Sequence, residues 1–161
     1  MKDIYIKTLL YSYPCFSKQI KNIEDKSIKI GLNSSNYKTM ETVERMINLF
    51  KEKMCYIKLE HIISLVLSRL SPEYINLLKY KYFRNYSSDL VIDFDYTSRE
   101  YYRKQVRILK YFSRSFDLCN LTNEFFETEC LQFNFIRSML VVTEDHNKNI
   151  GNYGKNKKVK L

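Results

Sequence analysis

Two stretches of the sequence decide the fold: LSPEYINLLKYKYF at residues 70–83 and YTSREYYRKQVRIL at residues 96–109. The first reads as a helix start, because Ser71 can cap a helix, Pro72 suits its first position and Glu73 complements the positive end of the helix dipole. In the second, residues 95–98 are predicted to form a turn that also caps a helix over about residues 98–116. Apolar residues recur at helical spacing in both stretches, so we expect two helices here.

A third short helix is predicted between these two. Ser87 or Ser88 can cap it, and its apolar residues are Leu90, Val91 and Phe94. Three short helices with a tight turn before the last one form a helix-turn-helix pattern. The last helix of this motif lies in the major groove of DNA, so the charge that it carries becomes informative.

Residues 98–114 carry six basic residues against one acid, Glu100, and the resulting local net charge of +5 is more than half of the chain's +9. The six are Arg99, Arg103, Lys104, Arg107, Lys110 and Arg114. A helix that is apolar on one face and rich in arginine on the other suits the major groove. Because such helices contact base edges mainly near their start, Arg99 and Arg103 are predicted to read bases. Arg107, Lys110 and Arg114, together with Lys79 and Lys81, are predicted to hold phosphates.

The same segments resemble region four of sigma factors and, more closely, small phage transcriptional regulators of the ArpU type. The resemblance rests on the leucine-proline-acid start, on a first helix ending in K-Y-F at residues 81–83 where the family has R-Y-F, and on the Y-T-S-x-x-x-Y-R segment at 96–103. It covers residues 1–70 in layout only. It implies that Ser98, Arg99, Tyr102 and Arg103 face DNA and that the module recognises promoter-like duplex. The chain has Asp89-Leu90-Val91-Ile92 where the family has E-E-I-A.

A long amphipathic helix is expected upstream, because neither glycine nor proline interrupts residues 40–70. The apolar residues of its expected stripe include Val43, Met46, Ile47, Phe50, Met54 and Ile57. We expect the stripe to pack against residues 2–30 or against another chain, either as a homodimer contact or as a contact with RNA polymerase. The predicted organisation is an N-terminal helical region at 1–70, the helix-turn-helix module at 71–117, a C-terminal helix at 118–142 and a flexible basic tail at 143–161.

Several classes of function find no support in the 161 residues. With only three glycines there is neither a G-x-G-x-x-G nor a G-x-x-x-x-G-K motif, and the four cysteines form no C-x-x-C pair. His61 lacks a second histidine one turn away, which a zinc site of the H-E-x-x-H type requires. We therefore expect no enzyme activity, no cofactor and no metal. The absence of a long uncharged apolar run predicts no membrane partner, and an N-terminus without a signal-peptide apolar region predicts a cytoplasmic protein. The predicted DNA binding would make it nucleoid-associated.

The sequence thus predicts an all-α, sequence-specific DNA-binding transcriptional regulator that consists of an N-terminal helical hairpin, a sigma-region-four-like module and a C-terminal helix. Its partners would be double-stranded DNA and, at the N-terminal helices, RNA polymerase or a second copy. The alternative is a helical protein–protein interaction module, such as a polymerase adaptor or an anti-activator, without specific DNA readout. A third interpretation, single-stranded RNA binding through stacked tyrosines, predicts a preference for single strands over duplex.

Overall fold

The structure is a computed structural model that describes residues 1–32, 39–83 and 97–156, and all regular secondary structure in these ranges is helical. This confirms the predicted all-α class. In chain order the elements are α1 (Asp3–Ser12), a 3-10 turn (Tyr13–Cys15), α2 (Phe16–Leu32), α3 (Thr39–Leu67), α4 (Pro72–Tyr82), α5 (Ser98–Leu118), α6 (Asn123–Phe125), a π-helical turn (Phe126–Cys130) and α7 (Asn134–Asn156). The chain divides into two compact units, one of residues 13–70 and one of residues 1–12 with 71–161.

The unit of residues 13–70 is a helical hairpin. Phe16 of α2 stacks on Tyr56 of α3 with ring centroids 5.7 Å apart. About two turns further along α2, the carboxylate of Glu24 pairs with the ammonium group of Lys53 at 2.7 Å. Because later residues of α2 meet earlier residues of α3, the two helices run antiparallel. The predicted long helix is continuous over 29 residues.

The other unit has α1 packed among α4, α5 and α7. The prediction placed residues 1–12 in one region with the helices that follow, whereas the structure groups them with residues 71–161. The physical reason is the composition of α1, in which Ile6, Leu9 and Leu10 are completely buried along with the side chains of Thr8 and Ser12. A helix that is buried on several sides needs several neighbours, and α4, α5 and α7 supply them.

Both helix starts in the module are where the sequence places them. Ser71 is the N-cap of α4 and Pro72 its first residue, although the Ser71 hydroxyl makes no capping hydrogen bond. Thr97 caps α5, which begins at Ser98. The short helix predicted between Ser87 and Phe94 lies outside the described residues.

The predicted C-terminal helix at 118–142 is not continuous. The short helix α6 and a π-helical turn cover residues 123–130, and α7 begins only at Asn134. After α5, Asn120 adopts a left-handed conformation with φ of 56°, and the amide of Leu121 donates to the carbonyl of Phe116 at 2.9 Å. This is the Schellman arrangement that ends helices, and asparagine tolerates its left-handed residue better than most side chains. Thr122 then caps α6, and the π-helical turn follows before α7 begins at Asn134.

The segment from residue 143 was expected to be a flexible tail, but helix α7 continues through it to Asn156. Contacts with α1 explain the difference: Thr143 is buried, Lys7 donates to the Asn147 side chain at 3.3 Å, and the Tyr11 ring lies 6.2 Å from that of His146. Tertiary packing therefore overrides the weak helix propensity of this asparagine-rich segment. Residues 157–161 lie outside the described residues.

Candidate nucleic-acid interface

Helix α5 has one face in the core and one in solvent. Ile108, Leu109, Phe112 and Phe116 are buried, and the rings of Phe112 and Phe116 meet edge to face at 5.4 Å. Their spacing of one, three and four residues follows a single face of the helix. This packing determines which side chains of α5 point outward.

Five basic residues of α5 are exposed, and we call them the basic stripe: Arg99, Arg103, Arg107, Lys110 and Arg114. They follow one another at steps of three or four residues, so they share one side of the helix. At a rise of 1.5 Å per residue the stripe is about 22 Å long. All five were predicted as DNA contacts from the sequence, and the structure brings them together on one exposed surface.

The first two turns of α5 add two further exposed side chains. Ser98 is the first residue of the helix, and Tyr102 has 68% of its surface accessible although it is aromatic. Both lie at the same end of the helix as Arg99 and Arg103. All four residues predicted to face DNA are thus exposed within the first two turns of α5, with Ser98 and Tyr102 rotated by about 100° around the helix from Arg99 and Arg103.

Glu100, the one acid among residues 98–114, takes part in the N-terminal cap of α5. Its carboxylate accepts from the Thr97 amide at 3.0 Å, and its own amide donates to the Thr97 hydroxyl at 3.3 Å, which together form a capping box. These hydrogen bonds, first from the Thr97 backbone and then from its side chain, lower the pKa of Glu100. Glu100 is therefore ionised near neutral pH and fixed at the cap.

Lys104 differs from the basic residues around it because it joins α5 to α4. Its ammonium group pairs with the carboxylate of Glu73, and only 21% of its side chain is accessible. The acid in the first turn of α4 thus has a structural partner as well as a favourable place on the helix dipole. Lys104 belongs to the α4–α5 contact and not to the basic stripe.

The two lysines predicted on α4 differ in position. Lys79 is exposed. Lys81 is half-buried, its ammonium group donates to the Gln105 side chain and lies 5.4 Å from the centre of the Tyr82 ring, and burial followed by repulsion from Lys7 lowers its pKa to about 8. Lys81 therefore lies inside the unit, away from the exposed surface. The sequence spacing indicates that Lys81 is partly buried, because it follows the buried Leu77 by one helical turn and therefore lies on the same side of α4.

Side chains that could bind a metal ion or form a disulfide lie apart from one another in the part of the chain that the structure describes. Within residues 1–32, 39–83 and 97–156, histidine, cysteine and acidic side chains form no group of three that could hold a metal ion. The four cysteines all lie in these ranges and are not joined by disulfides; Cys55 and Cys130 are buried. In the same part of the chain, none of the helices combines the length and the apolar character needed to cross a membrane.

No protein-family model matches the chain, and no curated protein or solved structure matches it significantly.

Proposed function

We propose that this protein is a sequence-specific DNA-binding regulator of transcription and that α5 is the helix that enters the major groove, as in the sigma-region-four-like module that the sequence resembles. The observation that carries the proposal is the basic stripe. Five cations lie on one exposed side of a helix whose opposite side is buried, and the acid in the same segment is fixed at the helix cap. Such a surface attracts a polyanion and presents side chains that can hydrogen-bond to it.

The length of the stripe fits duplex DNA. The major groove is about 12 Å wide, so a line of cations about 22 Å long reaches beyond the groove toward the phosphates that border it. In the proposed arrangement Ser98, Arg99, Tyr102 and Arg103 face base edges. Arg107, Lys110 and Arg114 hold phosphates, with Lys79 as a further phosphate contact.

The salt dependence of binding tests the phosphate contacts. Each phosphate contact contributes about 0.9 to the slope of log affinity against log salt concentration. We expect the double variant Arg107→Ala, Arg114→Ala to reduce this slope by about 2 for every duplex tested. The matched control is Lys18→Ala, Lys21→Ala, which removes two exposed cations from α2 and should leave the slope unchanged. Fluorescence anisotropy of a labelled duplex at several salt concentrations measures the slope for the unaltered protein and for both double variants.

Base readout needs a separate experiment, because phosphate contacts carry no sequence information. Duplexes selected from a random library by the unaltered protein should share a short motif. The double variant Arg99→Ala, Arg103→Ala should lose that motif, while Arg107→Ala, Arg114→Ala should select the same motif with weaker binding.

The alternative function gives a different result. If the protein is an interaction module without DNA readout, the folded chain will not bind duplex even at low salt, and that outcome rejects the proposal. Binding of single strands in preference to duplex would likewise reject it and would favour the RNA interpretation.

A further inference from the structure

Helix α3 leaves a row of large apolar side chains in solvent, and we call this row the α3 seam. Its six residues are between 37% and 81% exposed: Met40, Val43, Ile47, Phe50, Met54 and Ile57. The sequence predicted most of them to be covered, but α2 does not cover them. Six exposed apolar residues on one helix form a surface of the kind that marks an interaction site.

The spacing of the seam is that of a coiled coil. Its steps are three, four, three, four and three residues, so with Met40 at heptad position a, the seam fills every a and d position up to residue 57. A helix that only covers a globular core has a broader apolar face with a 3.6-residue period. The apolar residues at every a and d position over residues 40–57, with the exposed Met46 at one g position beside them, favour another helix in side-by-side contact as the partner.

Helix α2 occupies a neighbouring side of α3 and leaves the seam exposed, with Phe50 at the edge of the groove between the two helices. Its contacts reach Lys53 and Glu60, which are g positions of the heptad, through the Glu24 carboxylate and the Ser17 hydroxyl. Between the two helices, a groove of about 440 Å³ has Ile23, Ile28, Met46, Leu49 and Phe50 among its lining residues. The flank at the e positions, formed by Glu44, Lys51 and Lys58, is exposed.

The seam is symmetric about its own midpoint. If a second copy of α3 lies antiparallel with its Phe50 against Ile47, then Val43 meets Met54 and Met40 meets Ile57, so every a residue has a d partner and none is left over. The heptad pattern is thus complementary to itself in the antiparallel direction.

The flanking charges favour the same direction. In the antiparallel register, Glu44 faces Lys51 of the second copy, and the two-fold symmetry makes this opposite-charge pair twice. In a parallel, in-register pair, g positions face the e positions of the next heptad, so Lys51 would face Met46 and Lys58 would face Lys53, which is already paired with Glu24 of its own chain, and no opposite-charge pair would form between the copies. Like charges at these positions oppose pairing, and opposite charges support it.

We propose that the protein forms a homodimer in which the α3 seams of two copies pack as a short antiparallel coiled coil, with Ile47 and Phe50 at its centre and Glu44–Lys51 ion pairs along its open edge. The dimer rests on residues 40–58 of the hairpin unit and does not depend on DNA binding.

The first test measures molar mass without DNA, by light scattering on a size-exclusion column and by sedimentation over a range of concentrations. We expect the unaltered protein to approach twice the 19.5 kDa of one chain as concentration rises. Ile47→Asp should return it to the mass of one chain, because two aspartates would be desolvated at the centre of the seam. The control Asn48→Asp places the same charge one residue away, at an exposed position outside the seam, and should remain dimeric.

Ile47 is 49% exposed in the single chain, so Ile47→Asp should keep its helix content by circular dichroism. The second test is a charge exchange that does not alter the apolar seam. Glu44→Lys creates two Lys–Lys contacts in the antiparallel dimer and should weaken dimerisation several-fold at low salt, and the double variant Glu44→Lys, Lys51→Glu should restore it.

Each other outcome overturns the proposal. A single-chain mass at all concentrations would show that the seam does not join two copies. A dimer that survives Ile47→Asp would place the interface elsewhere. A dimer that Ile47→Asp dissociates but that does not respond to the charge exchange would reject the antiparallel direction. Because DNA is absent, none of these results bears on the proposed function.

Discussion

Thr97 shows how one residue sets the geometry of the proposed DNA-binding surface. Its hydroxyl and Glu100 satisfy each other's backbone amides at the start of α5, next to Ser98 and Arg99. We expect Thr97→Ala to lower the free energy of unfolding by about 1 kcal/mol, the usual cost of losing an N-cap side chain. Urea denaturation followed by circular dichroism measures the change.

Ser71→Ala is the matched control for this prediction. Ser71 occupies the same N-cap position on α4, but its hydroxyl makes no capping hydrogen bond, so its loss should cost clearly less. Equal losses in the two variants would contradict the role that we give to the Thr97 side chain.

Glu127 makes the free energy of unfolding depend on pH in the acidic range. Its carboxylate accepts from Lys2 at 2.8 Å and from the Tyr5 hydroxyl at 2.6 Å, and these two hydrogen bonds, in that order, lower its pKa. A carboxyl group whose pKa is lower in the folded than in the unfolded state stabilises the fold above its unfolded pKa, and this contribution disappears as pH falls through its folded pKa. The unfolded value is about 4.5, so the loss occurs below that pH.

We therefore expect the free energy of unfolding of the unaltered protein to fall more between pH 6 and pH 3 than that of Glu127→Gln. Tyr5→Phe keeps the ring that stacks on Phe126 but removes one donor, so it should give an intermediate pH dependence. Denaturant titrations at the two pH values measure the differences. The same pH dependence in all three proteins would contradict the assignment.

At the scale of the element, α4 and α5 could be predicted because their starts are encoded locally. Serine followed by proline and an acid marks the first helix, and threonine followed by glutamate three residues later marks the second; both signals act within one turn. The exposed basic stripe could be predicted for the same reason, since the apolar spacing of α5 defines its opposite face. Lys81 could have been placed inside the unit by this argument, because it shares the face of the buried Leu77.

What could not be predicted depends on contacts between elements. Periodicity showed that α3 has an apolar face but not whether another helix covers it, and the α3 seam is exposed. The composition of residues 143–161 predicted a flexible tail, whereas α7 continues to Asn156, and His146 and Asn147 of this segment contact α1. Asn120 ends α5 in a left-handed conformation, and the apolar residues around it gave no sign in the sequence that the helix ends there.

At the scale of the whole molecule, the two surfaces of interest belong to different units. The basic stripe lies in the unit of residues 1–12 and 71–161, and the α3 seam lies in the unit of residues 13–70. Each unit can therefore be altered without changing the contacts that build the other surface. This separation allows the two proposals to be combined into one further prediction.

A homodimer joined through the α3 seam carries two α5 helices, so a duplex with two half-sites offers a contact to each of them. Joining two modest half-site contacts raises the overall affinity through the effective concentration of the second contact, by about a hundredfold or more. We expect the unaltered protein to bind a selected duplex with two half-sites about a hundredfold more tightly than a duplex with one half-site. Ile47→Asp should bind both duplexes with the single-site affinity.

The variant Arg99→Ala, Arg103→Ala distinguishes this effect from a loss of DNA contact, because it should weaken binding to both duplexes while the protein remains dimeric. Anisotropy titrations of the three proteins with each of the two duplexes at one salt concentration, with the concentration of protein above that needed for dimerisation of the unaltered protein, give the six affinities. If the unaltered protein and Ile47→Asp discriminate equally between the duplexes, the two α5 helices of a dimer do not engage DNA together, since coupling through the α3 seam is what the aspartate removes.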